Sequence, residues 1–291
     1  DDEIEHPPVE CVFTTEEEVG LNGAKALDKS VLKARTMINM DSEDEGVATV
    51  SCAGGLRVQF TKEIQRTTVQ GSLLTLKVEG LLGGHSGQDI DKERQNADLL
   101  MARMIQRLLK ETKGQLVSFN GGTKDNAIPR ECEASLIYES DEEAAKAEEL
   151  ACELAETYAE ELTPAEPDFS CEISCETNRT AEAIPQDAAK EFICAMRLAP
   201  NGIQKRNIKM DGFVVVSLNL GVVRTEEDRI VMIFSPRSSV ASLQEDTKER
   251  LNTLAETFGF TVSHSSEYPG WSFKEDSPVR EICKESYKEL F

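Results

Sequence analysis

Apolar positions along the chain follow two periods, and the places where one gives way to the other mark the predicted elements. Within Asp91–Lys113, residues Ala97, Met101, Met104, Ile105 and Leu108 fall on one helical face. Glu142–Leu162 repeats the helical pattern, with Leu150, Leu154 and Tyr158 at four-residue spacing. Short runs bounded by turn residues predict strands at Leu73–Val78, Leu116–Phe119, Cys132–Tyr138 and Phe169–Cys175. The order is β-α-β-β-α-β. It recurs in part beyond, with a helix over Gln186–Arg197, strands at Val214–Val223 and Ile230–Ser235, a helix over Val240–Phe258 and a strand at Phe260–Ser263. This predicts a two-lobed α+β domain over 57–267, built from two ferredoxin-like halves, with Pro164 and Pro167 at the joint.

The flanks read differently. Val9–Thr14 is a strand candidate followed by the acidic run Glu16-Glu17-Glu18. Gly20 and Gly23 then interrupt the chain before a short helix near Ala24–Leu27, and Met37–Met40 forms a second apolar strand ending at Asp41. Carboxylates thus stand just past both strands, where open α/β sheets gather their ligands. A turn at Tyr268-Pro269-Gly270-Trp271 leads into an amphipathic helix carrying Val279, Ile282, Cys283, Tyr287 and Leu290. Residues 1–56 and 268–291 are expected to be parts of one α/β domain into which 57–267 is inserted, and that flanking domain is expected to be incomplete.

Charge narrows the partners. The 54 acidic and 32 basic residues leave a net charge of −22, which repels nucleic acid and anionic membranes. No run of about 18 apolar residues predicts a membrane span, and no signal peptide is legible at the acidic start. Eight scattered cysteines without a CxxC pair read as reduced thiols, so a cytoplasmic location is expected.

A few residues could carry chemistry. In Thr14-Thr15-Glu16-Glu17-Glu18-Val19-Gly20, adjacent carboxylates could bind a metal and take a proton from its water; the plainer reading is an acidic first turn of a helix. Asp41 suits a metal ligand or a simple turn cap. His85 lies in Gly83-Gly84-His85-Ser86-Gly87, where glycines let the backbone turn sharply and expose an imidazole able to stabilise an oxyanion. Asn126, in the polar turn Asn120–Pro129, could hydrogen-bond a substrate backbone or serve the turn itself. Arg237, just before a helix N-terminus, suits a carboxylate anchor or plain solvent exposure.

Taken in order, Phe-Thr-Thr-Glu-Glu-Glu-Val-Gly, Ile-Asn-Met-Asp-Ser-Glu-Asp-Glu-Gly, Ser51-Cys-Ala-Gly-Gly55, Gly-Gly-His-Ser-Gly, Asn-Ala-Ile-Pro and Tyr-Pro-Gly-Trp resemble the M20 metallopeptidases, nearest to their aminoacyl-histidine dipeptidase subgroup. The resemblance implies a zinc-peptidase domain of α/β type with a large inserted lid, hydrolysis of dipeptides, two zinc ions per active site (manganese or cobalt being alternatives) and a homodimer formed through the lid. It further implies Glu17 as general base, Glu18 and Asp41 as metal ligands, and Asn126 and Arg237 as substrate-binding groups. His85 would polarise the scissile carbonyl, a role that several relatives fill from the neighbouring subunit. The family's early His and Asp ligands and its late His have no counterpart in this sequence, so the chain alone is expected to be inactive and metal-poor. Two other readings stay open. One is a non-catalytic lid-like dimerisation module; the other is an M20 aminoacylase, carboxypeptidase or tripeptidase.

Overall fold

In the computed structural model, residues 5–17, 21–40, 46–210 and 212–291 are described. They group into two compact units, Asp1–Ser51 with Phe273–Phe291, and Cys52–Ser272. Glu18 and Asp41 lie outside the described residues.

In chain order, the elements of the larger unit are β1 (Gly54–Glu63), β2 (Thr67–Glu79), β3 (Gly84–His85), α2 (Ala97–Glu111), β4 (Gln115–Gly121), β5 (Ala127–Ile128), β6 (Cys132–Tyr138), α3 (Asp141–Leu162), β7 (Ser170–Ala183), α4 (Gln186–Leu198), β8 (Gly202–Arg206), β9 (Val214–Thr225), β10 (Arg229–Ser238), α5 (Ala241–Thr257) and β11 (Thr261–Tyr268). The smaller unit carries α1 (Asn22–Ala26) and α6 (Pro278–Leu290). Alternation along the strands turns Leu56, Val58 and Phe60 of β1, Leu74, Leu76 and Val78 of β2, and Met232 and Phe234 of β10 into one core under the helices. Phe60 and Phe234 meet there at 4.8 Å between ring centroids. Among the described residues no helix is long and apolar enough to cross a membrane.

The strand order of the main sheet is β11-β1-β10-β9-β4-β6-β2-β7, with β8 added to β9. Its right half, β4-β6-β2-β7, is the antiparallel order of a ferredoxin-like β-α-β-β-α-β unit. Its left half, β11-β1-β10-β9, has the same order, with β1, β9, β10 and β11 as its four strands and α4 and α5 as its helices. The first half is therefore inserted into the second, between β1 and α4. Strand β1, which the sequence pattern did not reveal, is the missing first strand of the second half. The joint is not at Pro164 and Pro167, which lie between α3 and β7 inside the first half; the chain passes between halves at 64–66 and 184–185.

The halves join through the edges of β4 and β9, which share the single pair Gly121↔Val223. Side chains do the rest. Arg224 donates to the carbonyls of Gly121 and Gly122, and the Thr225 hydroxyl accepts from Phe119 N at 2.9 Å. At the crossing, Arg66 donates to the carbonyls of Glu226, Glu227, Val117 and Glu182, tying together the β9–β10 turn, β4 and the end of β7. Arg66→Met would leave those carbonyls unpaired, at about 2 kcal/mol in total. The expected result is a lower urea midpoint at unchanged slope; an unchanged midpoint would show the staple to be idle.

Several element bounds differ from expectation for local reasons. Helix α2 starts at Ala97 rather than Asp91, because Glu93 takes a left-handed conformation (φ 51°) and the Asn96 side chain caps the N–H groups of Asp98 and Leu99. In the smaller unit, Val9–Thr14 and Met37–Met40 are not strands. A strand needs a ladder to a neighbouring strand, and no strand ladder among the described residues includes either segment; Phe13 and Met40 are 92% and 90% exposed. The short helix is present as α1. It starts after Leu21, and its entry turn is closed by Leu21 N to Glu17 O and Asn22 N to Glu16 O.

Candidate active site

The helix-free face of the second half-sheet supplies the platform. In β10, Ser235 and Arg237 share one face, and antiparallel register sets Gly55 of β1 opposite Arg237. On the other side Asn219 and Ser217 of β9 stand opposite Ser235 and Arg237. These are small or polar groups, in contrast to Leu218, Leu220 and Phe234 on the core face.

The loop 122–128 is seated on this platform. Asn219 Nδ2 donates to Ala127 O at 2.8 Å, and Ser235 Oγ donates to Asp125 O at 2.8 Å. Asp125 also faces Arg57 of β1, at 3.6 Å from its Nε. Gly221 must lack a side chain, since a Cβ there would come within 2.5 Å of Asp125 O.

The loop carries His85 by backbone pairing. Gly84 and His85 pair with Ile128 and Ala127, and Ser86 N donates to Asn126 O at 2.8 Å. His85 N donates to the Asp89 carboxylate at 2.8 Å, and Asp89 N returns a bond to His85 O at 2.9 Å. The ring is fixed as well. Its Nδ1 lies 3.1 Å from the N–H groups of both Gly87 and Gln88, and a nitrogen that accepts from two amides carries no proton. The tautomer follows: the proton is on Nε2, which makes no hydrogen bond among the described residues. Burial, aided by the nearby Arg237 charge and opposed by Asp89, holds the His85 pKa below the usual imidazole value. His85 is therefore a neutral donor at neutral pH.

Arg237 stands beside this ring. A Cβ on Gly87 would lie 3.1 Å from His85 Cε1 and 3.4 Å from Arg237 Cζ, so that glycine keeps the space between imidazole and guanidinium open. The structure thus brings His85, the Asn126 loop and Arg237 together. The Asn126 side chain is exposed and makes no hydrogen bond among the described residues. Glu17 belongs to the smaller unit, where its carboxylate is exposed; it precedes α1, whose first turn contains no acid. The neighbouring Glu16 carboxylate is occupied by Asn22 Nδ2 at 3.0 Å. Among the described residues no three His, Cys, Asp or Glu side chains gather to hold a metal ion.

Arg57, Asp89, Asp125 and Tyr268 were missed as individual residues by sequence reasoning. Tyr268 was visible only as part of a turn motif. The signal for Arg57 is register, which appears once β1 is placed beside β10; Asp89 and Asp125 stand out only through their contacts with His85 and Arg57.

Residues 76–167, from the end of β2 into the turn after α3, match the peptidase dimerisation domain of the M20 type. The whole chain is 32% identical to the cytosol non-specific dipeptidase of Escherichia coli (strain K12) and covers 60% of that protein. A crystal structure of aminoacylhistidine dipeptidase from Vibrio alginolyticus superposes with a TM-score of 0.89 at 32% identity, over 96% of this chain and 57% of that one. The chain thus spans about 60% of the length of the curated relative that it matches. The chain thus carries a peptidase dimerisation domain of the M20 type within residues 76–167 and is similar along its whole length to part of each of these two dipeptidases.

Proposed function

We propose that this chain is part of a metal-dependent dipeptidase that cleaves Xaa-His or a broad range of dipeptides. The observation that carries the reading is the fixed His85 tautomer beside Arg237: one neutral N–H donor and one cation, a glycine's breadth apart. A dipeptide presents a carbonyl that becomes an oxyanion and a carboxylate a few ångströms away. His85 Nε2–H serves the first and Arg237 the second, while Asn126 binds the substrate backbone. Glu17 is assigned as the general base that takes the proton of the attacking water.

A bound metal, zinc in this reading with manganese and cobalt as alternatives, would supply Lewis acidity and an acidified water. Glu18 and Asp41 are assigned as its ligands. Two carboxylates fall short of the three protein ligands usual in catalytic zinc sites, and the described residues add no cluster to them. The roles given to His85, Arg237 and Asn126 do not pass through the metal. The homodimer through the lid and the cytoplasmic location belong to the same proposal, supported by the dimerisation-domain match and by the name of the Escherichia coli relative.

The test is a substrate panel on the intact protein: dipeptides with and without a C-terminal His, their C-terminal amides, tripeptides and N-acyl amino acids. Free dipeptides are expected to be cleaved, with kcat/KM about tenfold or more above their amides, since an unpaired guanidinium loses a charged partner. Preference for N-acyl amino acids or tripeptides would replace the dipeptidase reading with one of its family alternatives. No hydrolysis of any of them would end it.

A further inference from the structure

We propose that Tyr268 is a further ligand-binding residue of this site, forming with Arg237 a two-armed cradle for a carboxylate. Arg237 Nη1 donates to the Tyr268 hydroxyl at 2.8 Å. The phenol oxygen is thereby an acceptor, and its own proton remains unspent: no other hydrogen bond is made by that hydroxyl among the described residues. A carboxylate placed against the pair would accept from the guanidinium with one oxygen and from the phenol with the other.

Two independent features point to an anion there. Arg237 Nε, like Arg57 Nε, is buried without a hydrogen-bond acceptor, and no carboxylate stands within ion-pair distance of Arg237 among the described residues. Its neighbour across the sheet, Arg57, is matched by Asp125 at 3.6 Å, so Arg237 is the cation of the pair left uncompensated. A buried donor without an acceptor is destabilising, and a ligand carboxylate removes that cost.

The reach of Tyr268 is built into the strands. Tyr268 ends β11, and Arg237 lies on β10, with β1 between them. At the crossing stands Gly55, paired with both. A Cβ on Gly55 would lie 2.7 Å from the Tyr268 Oη and 2.9 Å from its Cζ, so the ring passes over β1 only because that position has no side chain. Gly55 and Tyr268 thus work as one device: a gap in β1 and a ring laid across it.

The inference rests on the dipeptidase reading for the identity of the anion as a peptide carboxylate. Its test uses the intact protein, wild type and Tyr268→Phe, which keeps the ring over Gly55 and removes only the hydroxyl. The probe is an uncleavable dipeptide with a reduced peptide bond, titrated calorimetrically as free acid and as carboxamide. Wild type is expected to prefer the acid, and Tyr268→Phe to lose about tenfold of that preference with carboxamide affinity unchanged, as for a hydrogen bond to a charged group. With cleavable dipeptides the same variant raises KM about tenfold and leaves kcat within about threefold. No acid preference in wild type, an equal preference in the variant, or an equal loss on acid and carboxamide would each overturn the cradle. If wild type cleaves no dipeptide yet the acid preference depends on Tyr268, the cradle stands and the peptidase reading fails.

Discussion

His85→Ala is expected to lower kcat for dipeptide hydrolysis by the intact protein about 100- to 1,000-fold with KM within about threefold, the usual cost of one oxyanion donor. The size of the effect follows from how little freedom the ring has. The β3–β5 pairing fixes its backbone, Asp89 holds its N–H, and the amides of Gly87 and Gln88 fix Nδ1 as an acceptor. A donor aimed in advance needs no reorganisation when charge develops on the carbonyl oxygen. The pH dependence has a definite sign. Because burial and Arg237 lower the folded-state pKa, the neutral ring persists below the ordinary histidine range. Its contribution to stability is present above the unfolded pKa and is lost as pH falls through the lowered folded value. Protonation of Nδ1 would also expel the two amides. The acid limb of kcat/KM should therefore lie below the ordinary histidine pKa and should be altered by His85→Ala. A kcat within threefold of wild type in that variant would remove His85 from the chemistry.

The order of elements along the first half, and along the second from its first helix onward, was legible because turn residues bound the apolar runs and clearly periodic helices such as Glu142–Leu162 and Gln186–Arg197 stand between them. What escaped was β1. Its sequence Gly54-Gly55-Leu56-Arg57-Val58-Gln59-Phe60 alternates well from Leu56 onward, but its partners β10 and β11 lie more than 160 residues away. Local pattern carries no information about such pairing, so the second half looked incomplete and the joint was sought at Pro164 and Pro167. The same gap hid part of the site. His85, Asn126 and Arg237 stood out through their glycine, turn and helix-start settings, and the structure sets them side by side. Tyr268 and Arg57 have no unusual setting of their own; they matter because β1 and β11 bring them beside Arg237 and Asp125. In the smaller unit the apolar segments Val9–Thr14 and Met37–Met40 read as strands from composition alone, and composition cannot supply the neighbour that a strand requires.

Asp98→Asn is expected to stabilise the fold, increasingly so from about pH 4 to pH 8. Asp98 sits in the first turn of α2, where the helix dipole favours a carboxylate by about 0.3–1 kcal/mol. Burial acts against it and prevails. The side chain is fully buried, neither oxygen has a well-formed hydrogen bond, and the residue is packed against Gly121 and the Cys132 thiol. Desolvation pushes its pKa up from 3.8 to about 8, with the Cys132 thiol and the Arg224 charge opposing only in part. The thiol is pushed up in turn, by burial first and by Asp98 second. Because the folded-state pKa lies above the unfolded one, the folded chain binds the proton more tightly. Stability is therefore fully present below about pH 4, falls as pH rises towards 8 and is level above it. Each unit of displacement is worth about 1.4 kcal/mol, so the loss over that window is at most on the order of 6 kcal/mol. An asparagine keeps the shape and cannot ionise. Urea midpoints for wild type and Asp98→Asn should thus lie close together at pH 4 and separate by pH 8, with the variant higher. Parallel pH profiles would mean that Asp98 is ionised in the fold at no cost, with Arg224 as its true partner across the joint. The position gives the residue its importance: Gly121, against which Asp98 packs, is the point where β4 meets β9. Charging Asp98 therefore works on the one strand pair through which the two half-sheets join, one residue from the start of the loop that carries Asn126.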